Sequence, residues 1–147
     1  MWSGDDAAFS GKHYQLARTL NSPQALSRPH PPILIGGSGE KKTLKLVARY
    51  ADACNISAYD VPEAARKLEV LRAHCANESR DYGEIEKTAQ TRFDLGPGGE
   101  NVNKTIEQVH ALAEAGFSVA HGSLVNVSVP GQLDLLAEQV IPAIEKF

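Results

Sequence analysis

A short apolar run that breaks into glycines and then at once into a helix constrains this chain more than any other feature. It lies within residues 31–55, PPILIGGSGEKKTLKLVARYADACN. Ile33, Leu34 and Ile35 read as a strand buried on both faces, and Leu44, Val47, Ala48 and Ala51 recur after it at helical spacing. Between them, Gly36, Gly37, Ser38 and Gly39 permit positive φ and can turn successive N–H groups toward one point, at the positive end of the helix dipole. Such a junction suits an anion, and a phosphate in particular.

Downstream, strand-like and helix-like segments alternate in four units, the pattern of βαβ structure around a parallel sheet. The first unit covers 33–51. The second joins a strand at 53–57 to a helix over 62–78, with Asp60 and Glu63 as a capping-box pair and Pro62 in the first turn. Its apolar stripe is Ala64, Leu68, Leu71 and Cys75. In the third, Ala89, Thr91 and Phe93 alternate with Thr88, Gln90 and Arg92 along a strand at 87–94, and a loop, LGPGGEN at 95–101, leads to a helix over 103–115 that stops at Gly116. The fourth predicts a strand at 117–125 and a helix over 132–146 carrying Leu133, Leu136, Val140 and Ile144, kinked by Pro142. Trp2 to Tyr14 read instead as the frayed end of a helix and then a glycine turn, and 21–32 holds four prolines without periodicity. Residues 1–30 are therefore expected to be a connector, and 31–147 the folded domain. Four βα units are half of a (β/α)8 barrel, whose usual length is about 250 residues, so the chain reads as the second half of one.

At 147 residues, 42% of them hydrophobic, the chain has the size of one globular domain. Its net charge is −3 and no basic run exceeds Lys41-Lys42, which argues against nucleic acid or an anionic membrane as partner. No apolar stretch approaches the roughly 20 residues of a membrane span. The opening MWSGDDAAFS has neither the basic nor the apolar region of an export signal, so a cytoplasmic chain is expected. Cys54 and Cys75 are isolated, with no Cys-x-x-Cys and no histidine at ligand spacing; both read as packing residues in a reduced compartment, and no metal is expected. The Asn-x-Ser/Thr triplets at Asn55, Asn77, Asn103 and Asn126 carry no weight in such a compartment.

Two other phosphate motifs fit the glycine segment less well. Gly36 to Thr43 aligns Lys42 and Thr43 with G-x-x-x-x-G-K-[ST], but Lys41 occupies the second required glycine and obstructs the turn around a β-phosphate. G-x-G-x-x-G fails because Lys42 follows Gly37 and Gly39 where the third glycine belongs. Lys41 and Lys42 read as solvated cations on the helix surface, and Glu40 as a first-turn acid that favours the dipole. His13, His30, His74 and His110 are scattered, the last two in helix patterns where a surface position is ordinary. His121 lies within the last strand, where it can point into a barrel mouth as an acid or base, although a packed or hydrogen-bonded ring is the ordinary outcome. Arg92 and Asp94, at the C-terminal end of the third strand, are substrate-pocket candidates.

At IGGSGEKKTL the chain resembles the bacterial luciferase-like monooxygenase superfamily, and within it the coenzyme F420-dependent oxidoreductases, whose strand-to-helix phosphate loop has this form. FSGKHY at 9–14 is similar to the family's F-x-G-K-x-Y stretch, and Val140-Ile-Pro142 to its closing helix. The resemblance implies an α/β fold over residues 33–147, the C-terminal half (four βα units) of a luciferase-like TIM (β/α)8 barrel. It implies an oxidoreductase or monooxygenase acting on a small organic substrate, with coenzyme F420 supporting hydride transfer or FMN serving in flavin-using relatives. It carries over Gly36, Gly37, Ser38 and Gly39 as the cofactor-phosphate site. It assigns no catalytic residue, because the family's first four strands hold those side chains and have no counterpart here; the isolated chain is thus expected to be inactive. The alternative is a non-catalytic half-barrel that forms a homodimer or pairs with a separately encoded N-terminal half, driven by two open sheet edges and an apolar inner face.

Overall fold

A computed structural model describes residues 2–147, which divide into two compact units between Pro32 and Ile33. In the first unit, β1 (Phe9–Ser10) and β2 (Gln15–Leu16) pair antiparallel, and the Gly11 N–H donates to the Tyr14 carbonyl at 2.8 Å to close the turn. The helix end expected between Trp2 and Tyr14 is not formed. Gly4 sits at φ 80°, and the Asp5 carboxylate accepts the Ala7 N–H at 2.9 Å, a local bond that competes with helical pairing. The Thr19 N–H then continues the hairpin contact by donating to the Asp6 carbonyl at 3.2 Å.

In the second unit, β3 (Leu34–Gly36), β4 (Ala53–Ser57), β5 (Glu86–Phe93) and β6 (Val119–Leu124) form a parallel sheet in that order, and the intervening helices are α1 (Thr43–Tyr50), α2 (Val61–Asn77) and α3 (Val102–Glu114). Register runs straight across: Gly36 pairs with Asn55, Asn55 with Thr88, and Thr88 with Val119. Alternation along β4 and β5 sends Cys54, Ile56 and Ala89 to one face, where they are buried against Leu44 and Val47 of α1 and Leu68, Leu71 and Cys75 of α2. Both cysteines belong to this core, and burial pushes both thiols up. Asp60 caps α2 by accepting the Glu63 N–H at 2.9 Å, but only half of the capping box forms, because the Glu63 carboxylate is taken by Arg66 and Lys67.

The sheet face turned away from the helices corrects two expectations. β3 is buried on one side only: Leu34 is 53% exposed, whereas Ile35 packs on the helix-side core. The face is also largely polar rather than apolar, since alternation places Asn55, Ser57, Thr88, Gln90, Arg92, His121 and Ser123 on it. The Asn55 amide donates to Thr88 Oγ1 at 2.8 Å, and the Thr88 hydroxyl donates to the Cys54 carbonyl at 2.8 Å, so this face is knit by side chains.

The closing helix forms in three pieces: α4 (Gln132–Leu135), a π-helical stretch Leu136–Val140, and α5 (Ile141–Ile144). A widened turn immediately before Pro142 accommodates a ring that cannot donate to the preceding turn, so the expected disturbance appears as a π segment. Its apolar stripe also begins elsewhere than predicted. Leu133 is 58% exposed, while Gln132 is buried and its amide donates to the Gly96 carbonyl at 2.9 Å. Leu68→Ala is therefore expected to lower the unfolding free energy by about 3 kcal/mol in urea denaturation. Leu133→Ala should change it by less than about 0.5 kcal/mol; equal losses would mean that the core was assigned to the wrong faces.

Candidate functional site

The glycine segment leaves the sheet at a defined bond. The Gly37 N–H donates to the Asn55 carbonyl at 2.9 Å, and the Ser57 N–H donates to Ser38 Oγ at 3.1 Å. Gly37 has φ 119°, a conformation that L side chains rarely adopt, and a Cβ there would lie 3.3 Å from Thr43 Cγ2. A Cβ on Gly39 would approach Thr43 Oγ1 to 2.9 Å, whereas one on Gly36 would meet nothing within 4 Å. The chain then passes through a wide turn closed by the Leu44 N–H on the Gly39 carbonyl at 3.0 Å, and α1 starts at Thr43 without a side-chain cap.

Among the described residues, the N–H groups of Ser38, Gly39, Glu40 and Lys41 have no hydrogen-bond acceptor. Gly39, Glu40, Lys41, Lys42 and Thr43 line an open concavity of about 600 Å³. The free donors therefore sit slightly nearer the helix than the sequence alone suggests: Gly37 supplies the bend and spends its N–H on the sheet. Ser38 accepts from Ser57 and keeps its own hydroxyl proton to donate. Backbone donors, a hydroxyl and a helix N-terminus make up a set suited to a phosphoester oxygen.

The second glycine segment, between β5 and α3, behaves differently. There the Gly96 N–H donates to Asp94 Oδ1 at 3.1 Å, the Gly98 N–H to Glu100 Oε2 at 2.8 Å, the Gly99 N–H to the Gly96 carbonyl at 3.2 Å and the Asn101 N–H to the Leu95 carbonyl at 3.0 Å. Four of its N–H groups are thus consumed internally. Asp94 shapes this loop through Oδ1, and its carbonyl accepts the Thr105 hydroxyl at 3.2 Å; Arg92 and Asp94, both expected as pocket residues, line one small cavity of about 130 Å³ with Asn101, Lys104 and Gln108.

Charge around the first loop is arranged by α2. Arg66 Nη2 and Lys67 Nζ reach Glu40 Oε1 at 2.6 and 2.5 Å, and His74 Nε2 lies 2.7 Å from the Glu40 carbonyl, to which it donates. Glu40 is not in the first helical turn, as its position in the sequence suggests, but precedes it, and His74 is half-buried in this contact rather than an ordinary surface ring. Hydrogen bonds from Arg66 and then Lys67 bring the Glu40 carboxyl down to about 2, and the same two cations bring Glu63 down to about 2. Sequence reasoning missed this cluster. Its signal is that Arg66 and Lys67 both fall at helical spacing from one acid, Glu63, leaving a cation in want of a second. Lys41 and Lys42 are exposed, and among the described residues no carboxylate lies within ion-pair distance of either.

On the open sheet face, Ser57 pairs with Gln90, and Gln90 with His121; Arg92 pairs with Ser123. His121 is exposed, not packed, and lies in the row that starts at Ser38. A smaller apolar cavity of about 230 Å³, lined by Phe93, Leu112, Phe117 and Phe147 among others, shares no residue with the loop. Among the described residues no helix is long and apolar enough to cross a membrane, and no group of three or more His, Cys, Asp or Glu is placed to hold a metal ion.

The sequence model of the family described as luciferase-like monooxygenase matches residues 1–123. No curated protein matches the chain by sequence. Among solved structures, an F420-dependent secondary alcohol dehydrogenase in complex with an F420-acetone adduct superposes with a TM-score of 0.79 at 14% identity, over 97% of this chain and 57% of that one. The coenzyme F420-dependent tetrahydromethanopterin reductase from Methanopyrus kandleri gives 0.72 at 14% identity, over 97% and 59%. Riboflavin lyase RcaE, with modified FMN and riboflavin, gives 0.68 at 10% identity, over 96% and 48%. The chain thus spans about half the length of the proteins it resembles, and its fold is a partial luciferase-like (β/α) barrel.

Both carboxylates of the α2 cluster are depressed on folding, so their contribution to stability is complete above the ordinary value of 4.5 and is lost as pH falls toward 2. Urea midpoints measured between pH 5 and 2 should fall less steeply for Arg66→Ala/Lys67→Met than for the wild type; parallel curves would exclude this cluster as a source of acid sensitivity.

Proposed function

The chain belongs to the luciferase-like monooxygenase family, and on that premise we propose that its first glycine loop anchors the phosphate of a deazaflavin or flavin cofactor, coenzyme F420 in preference to FMN, in an oxidoreductase that acts on a small organic substrate. The observation that carries this reading is the run of N–H groups at Ser38, Gly39, Glu40 and Lys41 that have no acceptor among the described residues, beside a helix N-terminus and two lysines that pair with no described carboxylate. Gly36 and Gly37 give the loop its approach and bend, and Ser38 and Gly39 provide donors. The likeness of the fold to two F420-dependent enzymes favours F420.

When bound, the cofactor supplies hydride transfer; the chain's own part is to hold and orient. The loop binds the phosphate. Ser38 touches Ser57, and the row from Ser57 through Gln90 to His121 crosses two strand steps, or about 10 Å at the usual inter-strand spacing. A ligand held by its phosphate in the loop and extended along this row meets hydrogen-bonding side chains throughout. No catalytic residue is assigned within the chain, and the 147-residue chain is expected to bind cofactor without turnover.

Calorimetric titration of the chain with F420, FMN and riboflavin tests the anchor. F420 and FMN should bind and riboflavin, which lacks the phosphate, should bind at least about tenfold more weakly, the loss expected for charge-assisted hydrogen bonds. Equal affinity for riboflavin would refute a phosphate anchor.

A second reading is a non-catalytic half-barrel that forms a homodimer or associates with a separate N-terminal half. It is favoured by the open sheet: among the described residues β3 and β6 each pair on one side only, leaving backbone groups at both edges. Light scattering after size exclusion should then give twice the monomer mass or a mass that rises with concentration; a clean monomer at all concentrations counts against self-pairing.

A further inference from the structure

The two glycine loops share a detail that their composition hides. In the second, Glu100 lies two residues after Gly98 and turns back to accept the Gly98 N–H at 2.8 Å. In the first, Glu40 lies two residues after Ser38, at the same spacing, yet the Ser38 N–H is left without an acceptor. The difference is on α2. Among the described residues no cation pairs with Glu100, whereas Glu40 is held by Arg66 Nη2 at 2.6 Å and Lys67 Nζ at 2.5 Å, and its carbonyl by His74 Nε2 at 2.7 Å. Arg66, Lys67 and His74 recur at intervals that place them along one side of the helix, so three contacts draw Glu40 in one direction.

We propose that Arg66 and Lys67 are positioning residues that keep the Glu40 carboxylate from folding back onto the Ser38 N–H, and so hold the loop's donors open for an anionic ligand. This rests on the reading of the first loop as a phosphate anchor. A free carboxylate in the loop would compete with the ligand for the same donor and repel its charge. Two cations, with Glu63 as their second acid, remove both effects: the pairs Arg66 and Lys67 against Glu40 and Glu63 are neutral together, and Lys41 and Lys42 remain as the loop's uncompensated charge. Lys67, whose side chain is 14% exposed, is placed as a strut between the helix and the turn rather than as a solvent-facing ligand contact.

The test uses the full chain with FMN as probe, and four proteins: wild type, Glu40→Ala, Arg66→Ala/Lys67→Met, and the triple variant. Releasing Glu40 in the double variant should raise the FMN dissociation constant by about tenfold, as for loss of one charge-assisted hydrogen bond. Removing the released acid in the triple variant should return it to within about twofold of the wild type, and Glu40→Ala alone should bind at least as well as the wild type. This rescue separates positioning from two simpler roles: if the cations merely stabilise the fold or touch the phosphate themselves, the triple variant stays weak and the inference is overturned. It is overturned equally if the double variant binds like the wild type. Amide hydrogen exchange of Ser38 provides a readout independent of ligand, with protection expected to rise in the double variant alone. Should the wild type bind neither FMN nor inorganic phosphate, the phosphate-anchor reading fails, and unchanged Ser38 exchange in the double variant would overturn the role of the cations as well.

Discussion

The bond from the Gly37 N–H to the Asn55 carbonyl is the last backbone-to-backbone hydrogen bond between the end of β3 and its neighbour strand, and the candidate site depends on what the backbone does after it. At φ 119° Gly37 turns the chain out of the ladder before α1 has begun to supply helical acceptors. The residues between belong to neither system, and their N–H groups require water or a ligand, because a buried donor without an acceptor is costly. That need is met by leaving the turn open to the surface. Thr43 crowds the path from the other side: its side chain would lie 3.3 Å from a Cβ on Gly37 and 2.9 Å from one on Gly39, so close packing as well as φ favours glycine at these two positions.

Much of the frame was legible because its signals are periodic and local. β4 occupies 53–57 as expected, α2 starts at the Asp60 cap, and the stripe Ala64, Leu68, Leu71 and Cys75 is buried. What failed depends on relations that no short window contains. Leu34 is apolar in a run of three, yet its burial depends on what covers the far face of the sheet. The hairpin of β1 and β2 is made of two-residue strands, too short for any period to show, and is set by the Gly11 turn and by side-chain bonds to the backbone. The closing helix starts at Gln132 as expected, but its first inward-facing residue is Gln132 rather than Leu133, with Gly131 at φ 87° setting the start.

The site divided in the same way. The glycines that bend the loop were readable from the sequence, since few other residues allow a positive φ before a helix. The donors could not be placed so well, because the use of the Gly37 N–H by Asn55 depends on a strand that follows 16 residues later in the chain. Glu40 was read from its own neighbourhood as a helix-dipole acid, and its partners lie on α2, more than 25 residues away. A glycine loop is therefore only a permission. LGPGGEN and IGGSGEKK are equally glycine-rich, but the acid within the first of these closes on its own loop and the acid within the second is held elsewhere.

The open face of the sheet gives the loop its chemical direction. Near the N-terminal ends of the strands the paired residues are Leu34, Ala53 and Glu86; one step on they are Gly36, Asn55, Thr88 and Val119; beyond that come Ser57, Gln90 and His121, and last Arg92 with Ser123. Hydrogen-bonding side chains continue along the strand direction to the end at which the first loop lies. Apolar side chains there would make this end a floor for packing against side chains from other strands, as in the filled interior of a barrel. Here the hydrogen-bonding groups and the free backbone donors occur at the same end of the sheet, and His121 is left exposed in the row that Ser38 begins. The polar face and the loop are therefore two parts of one surface: free backbone donors at the loop, and beside them a row of hydrogen-bonding side chains that runs across the strands.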